Sequence, residues 1–397
     1  MTILKSAKHI ACFILFAAIA VSGFSADFFS NTASGGAVDI LSASNIQNTE
    51  MHFRGFYNTQ IQIGERFLAN TGISVKTKNM FGTPNLKDIP SLFNVDEISV
   101  MYRFRIEKNT AQFSLFGGEY EPGGSDIFAR RYMGAAPFNS YLLQKEIGFE
   151  SPAMVPIKGI GGAVTIKYGI PIAHAFYAYY SQKTSLPCFN MDVRIAGISN
   201  ALAVDFIFGT SLPIERKDSN GNNVMLIIRR ADFHAGLSLL LGDNPFVNVF
   251  LQSGVARIQT KPAPTESIVS LSDLYVFFEP RFAVKKVLFS LSMFHLPQAV
   301  YENIPYIDYP LGASFMIKSI PLYFKSTQGV FGGIVCASTV NPLTDTFSMQ
   351  KLSVQFVPFA EFNTAHGSIK IRLPLKPLEY RNLAKAVSLS AAYTVRF

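Results

Sequence analysis

The chain has no tryptophan, three cysteines and six histidines in 397 residues, and only 16% of it is charged. Each shortage excludes something. Soluble domains carry roughly 25% charged residues, whereas this chain is 49% hydrophobic with a mean hydropathy of +0.23, so a medium other than water must cover part of its surface. Cys12, Cys188 and Cys336 show no spacing of a disulfide framework or a zinc site. His52, His174, His234, His295 and His366 are spread one per region, with no His-Glu-x-x-His, Gly-x-Ser-x-Gly or Gly-Lys-Ser/Thr segment beside them. No catalytic residue, metal or cofactor is expected. Long apolar runs are also missing: a membrane helix needs about 20 such residues, and a single stretch comes near.

That stretch is the start. Lys5 and Lys8 precede an apolar run from Ile10 to Val21, followed by Gly23-Phe24-Ser25. A basic segment, an apolar core and a small-x-small site make residues 1–25 a secretory signal peptide, removed on export. Cys12 lies too early in the apolar core to serve as a lipoprotein anchor. Without Lys5 and Lys8, 33 basic and 27 acidic residues remain, a net charge of +6. The basic residues stand singly along the chain, and no clustered stripe suits a nucleic acid.

What is present is a period of two. Ile98, Val100, Tyr102, Phe104 and Ile106 alternate with Ser99, Met101, Arg103, Arg105 and Glu107; Phe189, Met191, Val193 and Ile195 alternate with Asn190, Asp192, Arg194 and Ala196. The same holds from Asp273 to Phe282 and from Ser368 to Lys376, and the chain closes on AVSLSAAYTVRF. Such segments are strands with one apolar and one polar face. A sandwich alternates too. The connections separate the cases: counted back from the end, Lys376–Lys385, Thr339–Gln350, Leu296–Pro310, Arg257–Leu271, Thr210–Asn223 and Ser181–Pro187 read as long, and those between them as short. Sorting by length is the signature of an antiparallel transmembrane barrel with short periplasmic turns and long extracellular loops. The pattern predicts an all-β barrel of about 16 strands, range 14–18, spanning residues 51–397 as one domain. Residues 26–50, small and polar, read as a tail, a plug or a first irregular strand.

The leader, the alternating strands and the ending Leu389-x-Ala391-x-Tyr393-x-Val395-x-Phe397 together resemble the outer-membrane β-barrel proteins of diderm bacteria, and among these the chain looks most like a porin. The resemblance implies outer-membrane lipid as surroundings, and recognition of Leu389, Tyr393, Val395 and Phe397 by the barrel-assembly machinery. It also implies passage of small hydrophilic solutes or ions. The long-chain fatty-acid transporter barrels are of similar size, but their Asn-Pro-Ala signature is absent; Asn244-Pro245 and Asn341-Pro342 are the only Asn-Pro steps. Transport of a hydrophobic ligand past a plug formed by residues 26–49, and surface display as an adhesin or antigen, stand as alternatives. The oligomeric state is left open.

With the apolar phase toward lipid, the other phase faces the lumen. It carries Arg103, Arg105, Lys167, Arg194, Arg281, Lys370, Arg372 and Arg396 against Glu107, Asp192, Asp205, Glu279 and Glu361. Small and charged side chains leave such a lumen to water, and the basic excess predicts a weak preference for anions. The stretch from Arg130-Arg131 to Phe138 reads as an outward surface loop, with an inward constriction as its rival. Phe176, Tyr177, Tyr179 and Tyr180 read as part of an aromatic girdle that replaces the missing tryptophans.

Overall fold

The computed structural model describes residues 28–41, 50–77, 91–135, 138, 140–142, 154–183, 186–217, 223–228, 230–244, 247–260, 267–302, 304, 306–319, 322–325, 328–342, 352–364, 367–381 and 386–396. The expected signal peptide at 1–25 lies outside them. The chain forms strands almost throughout. The first nine are β1 (Phe28–Leu41), β2 (Glu50–Ile63), β3 (Phe67–Thr77), β4 (Ser91–Ile106), β5 (Asn109–Glu119), β6 (Lys158–Lys167), β7 (Ile172–Lys183), β8 (Leu186–Ile198) and β9 (Leu202–Pro213). A small separate hairpin, β10 (Glu215–Lys217) with β11 (Asn223–Ile227), precedes β12 (Asp232–Asn244), β13 (Val247–Gln259), β14 (Leu274–Val284) and β15 (Val287–His295). Then follow β16 (Leu311–Ser319), β17 (Leu322–Lys325), β18 (Gln328–Val340), β19 (Leu352–Thr364), β20 (Gly367–Arg372) and β21 (Ser388–Arg396). Two short helices, α1 (Ile127–Met133) and α2 (Gln298–Tyr301), lie in connections.

Every wall strand pairs antiparallel with its neighbours in chain order, β9 passing directly to β12 across the hairpin. The ladder returns on itself: β1 pairs with β2 and also with β21, from Ala33 opposite Arg396 to Leu41 opposite Ser388. β16 and β17 both pair with β18 and are successive lengths of one wall strand. The nineteen-stranded sheet thus gives a wall of eighteen strands among the described residues, the top of the expected range. Closure has a physical cause. Hydrocarbon offers no hydrogen bonds, so an open edge within a bilayer would leave a row of backbone groups unsatisfied.

Residues 28–41 are therefore the first wall strand, and they do not plug the lumen. FFSNTASGGAVDIL lacks bulky alternation, which is why it read as an irregular polar segment; its pairing on both edges, rather than side-chain bulk, makes it a strand. Connections sort by length as expected, with one correction. Ser181–Pro187 is not a long loop: β7 and β8 run on to pair Lys183 with Leu186, leaving a two-residue link.

The alternation also holds in three dimensions. Val100, Leu115 and Ile160 are 52%, 57% and 74% exposed while Met101, Ser114 and Ala163 are buried. In the aromatic run, Phe176 and Tyr180 point outward, but Tyr177 and Tyr179 are buried in the opposite phase. Only half of that cluster belongs to a girdle. Rings do gather outside near the short turns, where Phe67 packs on Tyr102 at 5.0 Å and Phe282 on Phe289 at 4.9 Å between ring centres.

Closure is directly testable. Val38 faces Ala391 across the β1–β21 seam, and facing antiparallel residues lie about 4.5–5.5 Å apart at Cα, within disulfide reach. In a chain whose own cysteines are replaced by serine, Val38→Cys with Ala391→Cys should oxidise to a circularised barrel. Its mobility on a denaturing gel should shift until reductant is added, and no shift would mean an open seam.

Candidate functional site: the barrel interior

The described residues of the connection between β5 and β6 do not leave the barrel. The connection starts at Tyr120, forms α1, and comes back through Val155, which bridges Gly123, to Ile157, whose carbonyl accepts from the Tyr120 amide at 2.8 Å. Within it, side chains or backbone of residues 121–142 touch β4, β8, β13 and β14, strands on different sides of the ring. A segment that reaches all of these lies inside. The outward loop expected for Arg130 to Phe138 is thus corrected to an inward fold, with Phe128, Ala129, Tyr132 and Phe138 buried.

Four contacts hold it. Arg194 on β8 is fully buried and forks onto Asp205 of β9, Nε to Oδ1 at 2.8 Å and Nη2 to Oδ2 at 2.6 Å. Its Nη1 donates to the Glu121 carbonyl at 2.7 Å, and the guanidinium lies 4.6 Å from the centre of the Phe128 ring. Arg131 of α1 bridges two carboxylates, Glu121 at 2.9 Å and Glu97 of β4 at 3.0 Å. Glu121 takes a positive φ of 47° and accepts from the Tyr177 hydroxyl at 2.7 Å. Across the ring, Glu279 of β14 accepts from Ser140 Oγ at 2.9 Å, the Tyr141 amide at 3.0 Å, Ser292 Oγ at 2.7 Å and Arg281 Nε at 2.7 Å. Buried carboxylates and guanidiniums demand this density of partners, because an ion out of water is costly unless paired and hydrogen-bonded.

A second connection, residues 296–310, joins from the other side. Tyr306 donates to the Leu142 carbonyl at 3.2 Å, and Arg372 of β20 lies 6.0 Å from its ring centre. Asp308 accepts from Ser353, Gln355 and Lys376. Leu296, Val300, Ile304, Tyr306 and Ile307 are buried with Phe250, Phe277 and Phe294 of the wall. Part of the expected water-filled lumen is therefore an apolar core. The electrostatics follow. Burial, reinforced by Glu121, pushes the Tyr132 hydroxyl well above its ordinary pKa, and burial with Glu279 raises Tyr306. For Arg131, burial opposes the charge, but Glu97 and Glu121 outweigh it and hold the guanidinium firmly protonated.

Of the residues expected to line the interior, Asp192, Arg194, Asp205, Glu279, Arg281 and Arg372 lie buried in the inward phase. Arg103, Lys167, Glu361 and Lys370 lie in that phase partly exposed, with Lys370 Nζ 3.8 Å from Glu361. Arg105 is exposed at the end of β4. Glu107 is not on the wall: it occupies the two-residue β4–β5 turn at φ 53°, so the alternation ended one position earlier than it read. The backbone of Arg396 pairs with Ala33. Leu389 and Tyr393 face outward, Val395 pairs with Ser34 and Gly367, and Phe397 lies outside the described residues.

Glu121, Ser140 and Asp308 lie in connections and carry no alternation signal, while Glu97 continues the inward phase of Ser99 and Met101 on β4; none of the four was singled out. Nor was the meeting of Asp192 with His234, whose Nε2 lies 2.6 Å from the carboxylate. They belong to β8 and β12, on either side of Gly209 in β9, and any side chain at Gly209 would occupy the space in which they meet.

No protein-family model matches the sequence, and no curated protein is similar to it. A solved structure shares the fold. OccAB3 of Acinetobacter baumannii aligns over 94% of this chain and 99% of its own, at 9% identity and a TM-score of 0.53. OmpF of Salmonella typhi aligns over 94% and 98% at 7% identity with a TM-score of 0.43, and a mutant Rh. blastica porin over 94% and 100% at 8% with 0.40. At this identity the likeness is one of fold: the chain has the antiparallel β-barrel architecture of OccAB3.

The clamp at Arg194 sets a stability prediction. Arg194→Met leaves Asp205 buried without its partner and should lower unfolding stability by about 3–5 kcal/mol, whereas the double variant with Asp205→Leu should recover most of that loss. Urea unfolding in lipid checks both. A single variant as stable as the parent would remove the clamp from the account.

Proposed function

We propose that the protein is an outer-membrane channel for small hydrophilic solutes with a preference for anions. Solutes run along the part of the interior that the inward segments leave uncovered, lined by β2, β3 and β16 to β18 and by the short-turn parts of β4, β19 and β20. The observation that carries this reading is an asymmetry of commitment. Glu97, Glu121, Asp205, Glu279 and Asp308 all spend their oxygens in the bonds that hold the inward segments. Lys76, Arg103, Lys318 and Lys370 instead stay at least partly exposed in the inward phase, where Glu361 stands 3.8 Å from Lys370 Nζ and Lys318 Nζ lies 4.2 Å from the centre of the Phe331 ring. Fixed positive charge beside a narrow water path favours anions. The outward Leu389 and Tyr393 on the strand that seals the ring suit recognition by the barrel-assembly machinery. No reaction is assigned to the protein.

The test is current through the refolded protein in a planar bilayer under a salt gradient. Stable openings with a reversal potential on the anion side are expected, and Arg103→Glu, Lys318→Glu and Lys370→Glu together should move that potential toward cations. Arg372 is left out of the set because its packing against Tyr306 makes it a structural residue. An unchanged reversal potential in the folded variant would take the selectivity away from these side chains.

A further inference from the structure

The short-turn end of the barrel carries an excess of positive charge that the channel reading does not use. Around it stand Arg66, Arg105, Lys108, Lys167, Lys285 and Lys286, against Glu65, Glu107 and Asp243. None of these six basic side chains makes an ion pair among the described residues. They form two groups. Arg105 and Lys167 flank Thr110 in one ladder row, and Lys108 sits on the adjoining turn. That turn is braced, since the Gly169 amide of the next turn donates to Asn109 Oδ1 at 3.2 Å. The second group is Lys285 and Lys286 on the β14–β15 turn, with Lys318 inward beside it, directly opposite Leu288 in the ladder.

We propose that this end is a docking surface for an acidic soluble protein of the periplasm. Charge complementarity names the partner's chemistry: like charges held together without counter-ions repel, and an acidic surface relieves that repulsion while steering its own approach. The placement argues against lipid phosphates as the occupant. Outward side chains at this level are apolar, among them Phe104, Ile106 and Val284, all exposed. The basic ones point inward or stand on turn tips, where they face water beyond the membrane.

The experiment uses the full barrel in detergent with polyglutamate as the probe and polylysine as the control, read by calorimetry at low and high salt. The parent should bind polyglutamate alone, with an affinity that falls as salt rises. Lys108→Glu, Lys167→Glu, Lys285→Glu and Lys286→Glu together should weaken it at least about tenfold, in protein shown to be folded by its heat-modifiable mobility. If that variant fails to fold, Lys285→Glu with Lys286→Glu alone serves, with a smaller loss expected. Absence of binding by the parent, or equal binding by the folded variant, overturns the proposal. So does a parent that ignores polyglutamate but responds, through the same lysines, to phosphatidylglycerol in nanodiscs, which would make the charge a lipid contact. The readout needs no current, so its failure is separate from failure of the channel reading.

Discussion

A guanidinium buried in a protein wall cannot leave its donors idle, and Arg194 satisfies them only because the chain between β5 and β6 turns inward. Asp205 takes one fork, which any pair of adjacent strands can supply. The remaining donors need the Glu121 carbonyl, 73 residues away in sequence. Once that bond places Glu121, its carboxylate sits where Arg131 and Tyr177 reach it, and Arg131 in turn reaches Glu97. The helix α1 is fixed between two walls, ends where Gly134 takes a φ of 69°, and sends residues 140–142 to Glu279 on the far side. One ionic demand thus organises a segment that no wall strand contacts continuously.

The consequence for function is that the interior has two characters. Where the inward segments lie, it is a packed core in which charges are counted out in pairs. Elsewhere Lys76, Arg103, Lys318 and Lys370 stand at least partly exposed on it beside Glu361. An open ring of eighteen strands would leave a wide hole; the inward segments narrow it, and on the proposed channel reading the path they leave favours anions. On that reading, stability and selectivity share one arrangement, because the carboxylates that hold the segments are withdrawn from the path.

Much of the wall was legible in the sequence because its cause is local. Alternation of Val100 with Met101, or Val193 with Arg194, reflects a strand between two media, and this needs no knowledge of distant residues. The final strand was legible for the same reason. The failures share a cause as well. β1 has small side chains on both phases and is a strand because β2 and β21 pair with it. The β7–β8 link looked long because Pro187 and the polar residues before it resemble a loop, while cross-strand pairing carries the strands through them. Tyr177 and Tyr179 looked like girdle residues, since nothing local tells that an apolar core waits inside. The inward fold itself rests on contacts between residues as much as 164 positions apart, such as Arg194 with Ser125 and Tyr306 with Leu142, and single-sequence periodicity holds no trace of them.

The most direct measurement places the tip of the inward segment. Ser140 and Ser292 both donate to Oε2 of Glu279, at 2.9 and 2.7 Å. In a cysteine-free background, Ser140→Cys with Ser292→Cys should be joined by a short thiol cross-linker in the lipid-embedded barrel, and both thiols should resist a bulky membrane-impermeant maleimide. Failure to cross-link, with the thiol at 140 labelled readily from outside, would place the segment beyond the barrel and contradict the account.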